Sequence, residues 1–334
     1  MIRSSALPSP PSVPRLGLCC QFAAEPIGFR LATATALLRL RPEERLRKLA
    51  DIALANGQAL EQAVEYCARV GIGCFRIIST LLPVKTHPDA GYCVEQLPGA
   101  DAIIAQFRKC GAAAARHGVR LVFHPDQFVV LNSPRPDVVE KSLADLAYHA
   151  ELCQWLGADV INIHGGGAYG DKSAAIESLR RAIDKLPDEI RRRLTLENDD
   201  KIYTPQDLLP VCRATGVPLV YDVHHHRCLP DGMPIGEATE AAIATWNREP
   251  LFHLSSPLEG WSGLQPFRHH DYVDLADFPD EWRRADITIE VEAKAKELAV
   301  LRLRDELAAS TKALSSGNSP TRNVGKSRSR RCAT

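Results

Sequence analysis

Short apolar runs recur eight times along this chain, at Arg15–Cys20, Cys74–Ser79, Val119–His124, Asp159–His164, Leu194–Glu197, Pro218–Asp222, Leu251–His253 and Ile287–Glu292. The last six end on residues able to hold a metal ion: His124, His164, Glu197, Asp222, His253 and Glu292. Between the runs lie segments of helical periodicity, among them Glu43–Val70, Ala100–His117 and Val138–Leu156. Strands alternating with helices predict a parallel sheet, because parallel neighbours need a crossover helix. Eight such units predict an α/β fold, a single (β/α)8 TIM barrel, whose chemistry sits at the C-terminal ends of its strands.

The 334 residues would suit two domains by length alone, but α/β barrels often take this length as one. The barrel is expected over residues 15–309, after a flexible lead, residues 1–14, that lacks the long apolar stretch of a signal peptide. Residues 310–334 are rich in Ser, Gly and basic side chains (Lys312, Arg322, Lys326, Arg328, Arg330 and Arg331) and carry no acid. They are expected to form a disordered basic tail, able to add sequence-independent attraction to phosphate. Gly71, Gly118, Gly157 and Gly216 stand just before strands, where helix C-caps are wanted. Thr204-Pro205-Gln206-Asp207 reads as an N-cap, a Pro at the first helical position and an acidic first turn.

Lys plus Arg equals Asp plus Glu at 41 each, so net charge neither predicts nor excludes nucleic-acid binding. Ten cysteines without a C-x-x-C pair suit a reducing compartment, so the expected location is cytoplasmic, nucleoid-associated in a bacterium. No window approaches the ~18 apolar residues of a membrane span.

The chemistry is carried by the run ends. A histidine closing one apolar run, as in Phe123-His124-Pro125-Asp126-Gln127-Phe128, is by itself more often a satisfied core residue. His164 closes the next run and precedes Gly165-Gly166-Gly167, which lets backbone pass close to a ligand. Glu197 ends Leu194-Thr195-Leu196-Glu197, where an ionised carboxylate is costly unless paired or coordinated. Between flanking histidines it is placed to bridge two cations. The plain reading of His224-His225-His226 is a polar loop, yet Asp222 three residues before His225 can put both groups at one rim position. Glu290 and Glu292 share a face of the last run, and spacing leaves both open as ligands. Mixed imidazole and carboxylate donors suit Mn²⁺, Fe²⁺ or Zn²⁺ without a thiolate.

Taken in order, further motifs are Arg15-Leu16-Gly17, Phe75-Arg76-Ile77-Ile78-Ser79, Pro83-Val84-Lys85-Thr86-His87-Pro88, Gly166-Gly167-Ala168-Tyr169-Gly170-Asp171-Lys172, Leu196-Glu197-Asn198-Asp199, Tyr221-Asp222-Val223-His224-His225, His253-Leu254-Ser255-Ser256 and Val291-Glu292-Ala293-Lys294-Ala295-Lys296. With His124-Pro125-Asp126-Gln127-Phe128-Val129 they resemble the UV damage endonuclease family, relatives of endonuclease IV among the xylose-isomerase-like barrels. The resemblance implies a hydrolase that cuts the DNA backbone immediately 5′ of UV photoproducts and other distortions, using two or three divalent ions, typically Mn²⁺, with Zn²⁺ or Fe²⁺ as substitutes. It implies that His124, His164 and Glu197 hold one ion, and that Glu197, Asp222, His253 and Glu292 hold a second. It assigns His225 and His269 to a third and puts His87 beside the phosphate or a metal, with Glu197, His87 and His225 as the catalytic residues. Gln127 and Phe128 would probe the lesion, with Phe128 where the family often has Tyr. Leu18, Phe22 and Leu251 also depart from the family, which often carries Tyr, Asn and Lys there.

The expected partner is damaged double-stranded DNA, met by a monomer. Two alternatives remain from the sequence: a divalent-metal sugar isomerase of the same barrel type, and a non-catalytic damaged-DNA-binding module.

Overall fold

The computed structural model describes residues 14–315; expectations for residues 1–13 and 316–334 lie outside the described residues. Eight parallel strands close into one barrel in sequence order: β1 Arg15–Cys19, β2 Cys74–Ile77, β3 Arg120–Phe123, β4 Val160–His164, β5 Leu194–Glu197, β6 Leu219–Asp222, β7 Leu251–Leu254 and β8 Thr288–Val291. All eight overlap the apolar runs of the sequence. The seam is β1 against β8, with Leu16 opposite Ile289 and Leu18 opposite Val291.

Strand side chains alternate between faces, so each strand feeds both a barrel interior and an outer layer. Outward residues such as Phe75, Phe123, Ile161, Leu196, Tyr221 and Phe252 are buried beneath the helices in the main core. Inward residues at the lower end, Cys74, Val122, Val160, Val220 and Leu251, make a separate apolar plug. Two residues further along each of these strands the interior turns polar: Arg76, His124, Asn162, Asp222 and His253. A dry floor under a polar rim is what positions the site.

The helices begin and end where the local chemistry dictates. Thr204 accepts from the Asp207 N–H, and the Thr204 N–H donates to Asp207 Oδ2 at 2.8 Å, so the helix Pro205–Thr215 starts on a reciprocal cap. The helices Pro42–Val70, Ala100–His117, Pro136–Leu156 and Pro205–Thr215 all end on the expected glycine in a left-handed conformation. At the C-terminus the helix Glu297–Ser315 runs past the expected barrel boundary at Ala309. Its apolar residues Ala299, Val300, Leu303 and Leu307 are buried, and beyond them Ser310 accepts from Arg283 Nη1 at 3.0 Å.

Candidate metal centre

The inward residues at the strand ends converge into three groups of donors, with the donor atoms of each lying within 4.8 Å of one another: His124, His164 and Glu197; Glu197, Asp222 and His225; Asp222, His253 and Glu292. Glu197 belongs to the first two groups and Asp222 to the last two. The first group matches the expected set for one ion. The expected second set is distributed over the other two groups, with His225 brought in beside Glu197.

Hydrogen bonds fix the orientation of the histidine rings. His124 Nδ1 lies 3.0 Å from the Pro125 carbonyl, which only accepts, so Nδ1 carries the ring proton. Its Nε2 then faces Glu197 Oε2 at 2.9 Å, lone pair toward carboxylate. Such a contact needs a proton or a metal between the atoms. His225 Nδ1 likewise donates to the Asn198 carbonyl at 2.9 Å. At His253, Nε2 sits 2.9 Å from Glu290 Oε2, and Nδ1 faces Glu197 Oε1 at 3.0 Å. A carbonyl or carboxylate behind the ring is the usual way to orient a metal-binding histidine.

Charge and burial agree with that geometry. Burial alone would raise the Glu197 carboxyl, but His253, His164 and His124 hold it well below the carboxylate range. Burial works against charge on His253, yet Glu197 lifts it to about 10. For His225 burial is likewise outweighed, chiefly by Asp222, and the imidazole stands well above its ordinary value. Burial pushes the His164 imidazole below its ordinary value, and its Nδ1 makes no hydrogen bond among the described residues. Asp222 Oδ2 is also buried without a hydrogen-bond partner. Orphaned buried donors and acceptors are expensive. Both His164 and Asp222 belong to the imidazole–carboxylate donor groups, and such a donor set fits divalent cations.

A second set of residues holds these donors in place. Thr195 Oγ1 donates to Asn162 Oδ1 at 2.9 Å, and Asn162 Nδ2 donates to Glu197 Oε2 at 2.5 Å. Asn198 locks β5 to β6, donating to the Asp222 carbonyl and accepting from the Asp222 N–H. His224–His226 form the short helix Val223–Cys228 rather than a polar loop, capped by Asp222, which accepts from the His225 N–H. A buried chain, Tyr221 hydroxyl to His226 Nδ1 at 2.7 Å and His226 Nε2 to Asp231 at 2.8 Å, anchors that helix. After β4, Gly166 has φ +89 and packs so closely that a Cβ would stand 2.1 Å from Asn132 Oδ1. A side chain there would displace the loop that follows His164.

Arg76 is the main residue that the sequence reading quoted without a role. Its guanidinium lies inside the barrel, 2.6 Å from Glu290 and 2.7 Å from Glu292. The usable signal was a charged residue at an inward position of an apolar strand. Arg76 also separates the two candidate glutamates. Glu290 lies one layer deeper, fully buried between Arg76 and His253, whereas Glu292 joins Asp222 and His253 in a donor group.

Other expected residues divide. Phe128 is 77% exposed, so it is not a core aromatic, and Gln127 beside it is exposed as well. His87 belongs to none of the three donor groups. Its Nδ1 accepts from the N–H groups of Asp89 and Ala90, which puts the ring proton on Nε2 and suits a donor to phosphate rather than a metal ligand. His269 also lies outside the groups, with Nδ1 3.7 Å from Glu292 Oε2. Leu18 and Leu251 are fully buried, and Phe22 packs at 5.8 Å, ring to ring, on Phe75. Those three departures add apolar contacts and leave every grouped donor in place.

Fold and site together define a parallel (β/α)8 barrel with three imidazole–carboxylate donor groups at its strand ends. The profile of the family described as UV-endonuclease UvdE matches residues 14–319, and the chain belongs to that family. It is 38% identical over 310 residues to the UV DNA damage endonuclease of Deinococcus radiodurans, an alignment covering 88% of this chain and 95% of that one. The crystal structure of SacUVDE superposes with a TM-score of 0.79 at 27% identity, covering 90% of this chain and 99% of that chain. Endonuclease IV from Thermus thermophilus shares the fold, with a TM-score of 0.53 at 17% identity, covering 90% of this chain and 99% of that one.

Proposed function

We propose that this protein is a metal-dependent DNA repair endonuclease that hydrolyses the phosphodiester immediately 5′ of UV photoproducts and other distorting lesions. The observation that carries the reading is Glu197, one buried carboxylate shared by two donor groups and contacted by three histidines. Two or three divalent ions, Mn²⁺ foremost, would be held by His124, His164, Glu197, Asp222, His225, His253 and Glu292, with His269 at the margin. Such ions supply charge neutralisation at a phosphate and a nucleophilic water at neutral pH. The chain's own contribution is orientation: Asn162, Asn198 and Glu290 fix the donors, and the His87 Nε2–H is free to bond a phosphate oxygen. In the net reaction the water oxygen bonds to phosphorus and the P–O3′ bond breaks, leaving 3′-hydroxyl and 5′-phosphate ends.

No helix among the described residues is long and apolar enough to cross a membrane. The sugar-isomerase alternative calls for an enclosed pocket; the exposed Gln127-Phe128 loop beside the first donor group suits a long ligand instead. A non-catalytic module has no need of three complete donor groups. The deciding experiment is nicking of supercoiled plasmid, UV-irradiated or not, with Mn²⁺. The expected result is relaxation of the irradiated plasmid only; no relaxation at any dose would overturn the proposal.

Lesion probing is tested separately. Phe128 follows His124 by four residues, and its N–H is tied to Asp126 Oδ1 at 3.0 Å, holding the turn that presents the ring. Unstacking a base costs a few kcal/mol, less at a damaged step, so an exposed ring gains most at a lesion. Phe128→Ala should remove ~1–3 kcal/mol of stacking and lower the ratio of nicking rates on a single-lesion duplex and its undamaged twin, with metal content unchanged. An unchanged ratio would move lesion sensing elsewhere on the rim.

A further inference from the structure

Beside the third donor group a cleft of about 510 Å³ opens between the loop after β7 and the turn after β8, lined by Phe267, Arg268, His269, Glu292, Lys294 and Lys296. Glu292 is its acidic wall, but Arg76 covers that carboxylate with a 2.7 Å ion pair. The three other charged side chains, Arg268, Lys294 and Lys296, form no ion pair or side-chain hydrogen bond among the described residues. Most cations near acidic neighbours find a partner; three that converge on one concave surface without one make a site for an anion.

The backbone there is held rigid. Lys296 has φ +53, a left-handed conformation that a lysine seldom adopts and that tends to persist at functional sites. The Lys294 N–H donates to the His270 carbonyl at 3.1 Å and the Lys296 N–H to the Ala293 carbonyl at 3.1 Å. The next residue, Glu297, is fully buried and accepts the N–H groups of Ala23 and Ala24 at 2.7 and 2.6 Å. Across the cleft, Pro257 and His269 form an antiparallel bridge that closes the base of the β7 loop carrying Arg268. Cations presented on pinned backbone lose less freedom on binding than those on mobile chain.

We propose that this cleft is a phosphate subsite that receives a backbone phosphate next to the scissile one, on the strand being cut. The inference rests on the nuclease reading above and deepens it: the metal ligands choose which bond breaks, and the cleft sets how the strand lies across them. Contacts of this type position a duplex without reading its bases. They should therefore strengthen binding to damaged and intact DNA alike, the converse of Phe128.

The test is affinity for a labelled lesion duplex and its undamaged twin, measured by anisotropy across a salt series with EDTA present so that nothing is cut. Lys294→Gln, Lys296→Gln and Arg268→Gln should each reduce the slope of log affinity against log salt by about one, with the damaged-to-intact ratio unchanged. Lys294→Arg keeps the charge and should keep the slope; an equal fall in both Lys294 variants would mean lost packing and overturn the proposal. Lys185→Gln, which follows the helix Lys172–Asp184 at the opposite end of the barrel, should leave the slope alone. An equal effect there would assign the slope to the general field and also overturn it. Wild-type nicking with unaltered slopes in all three glutamine variants would refute the subsite while sparing the nuclease; absent wild-type nicking would refute the nuclease reading itself.

Discussion

Glu197→Gln is expected to lower nicking by about 10³-fold or more, equivalent to about 4 kcal/mol at the transition state, while DNA binding survives. Glu197 is 1% exposed and its two oxygens face different neighbours: Oε2 meets Asn162 Nδ2 and His124 Nε2, and Oε1 meets His253 and His225. An amide has the same volume, so the barrel should still close. It offers only one acceptor, however, and no charge. Whichever way it turns, its NH2 group opposes either Asn162, itself a donor, or the histidines that now surround an anion. Both donor groups that share Glu197 are weakened at once. Metal content per chain, the nicking rate and affinity for a lesion duplex would be measured together. Retained nicking in Mn²⁺ would remove Glu197 from the bridging role.

The second large effect is loss of metal. Chelator-washed protein is expected to be inactive on irradiated plasmid, with Mn²⁺ restoring the most activity among first-row ions. The donor set is imidazole and carboxylate, which Mn²⁺ accepts, whereas Mg²⁺ dehydrates reluctantly and prefers oxygen ligands with water. Stability should follow the same ions. Asp222 Oδ2 and His164 Nδ1 are buried without hydrogen-bond partners, and a ligand that binds only the folded chain stabilises it by about 2.7 kcal/mol at a hundred times its dissociation constant. Thermal unfolding followed with and without Mn²⁺ should therefore show a rise of a few degrees. Full activity of the washed protein in Mg²⁺ alone, or no shift in melting, would contradict the metal assignment.

The barrel could be read from the sequence because its signals are local. Apolar runs of strand length alternate with amphipathic segments, and glycines mark the helix ends, each set by residues only a few positions apart. The same holds for the grouped donors, since a strand end bearing His124, His164, Glu197, Asp222 or His253 violates the apolar pattern at a visible place. The exposed Phe128 was legible for a related reason, because it follows a strand end directly. Where sequence and structure differ, long-range contacts explain it. The helix Glu297–Ser315 extends beyond Ala309 although its buried apolar residues end at Leu307; past them Ser310 accepts from Arg283 Nη1 at 3.0 Å, a contact that composition alone does not register.

The amino-acid order by itself determined the eight-fold βα repeat, the end of the barrel that carries the chemistry and the residue types available there. Only closure of the barrel decided how those residues are grouped. It set Glu290 beneath Glu292: Arg76 from β2 pairs with both, but the deeper Glu290 is closed in against His253 Nε2 while only Glu292 joins a donor group. It also left His87 and His269 outside the donor groups and gathered Arg268, Lys294 and Lys296 around one cleft. The physical reason is distance along the chain. Hydrophobic period and capping act over a few residues, whereas charge pairing inside a barrel joins side chains more than two hundred residues apart, as Arg76 and Glu290 do, and no local pattern encodes that meeting.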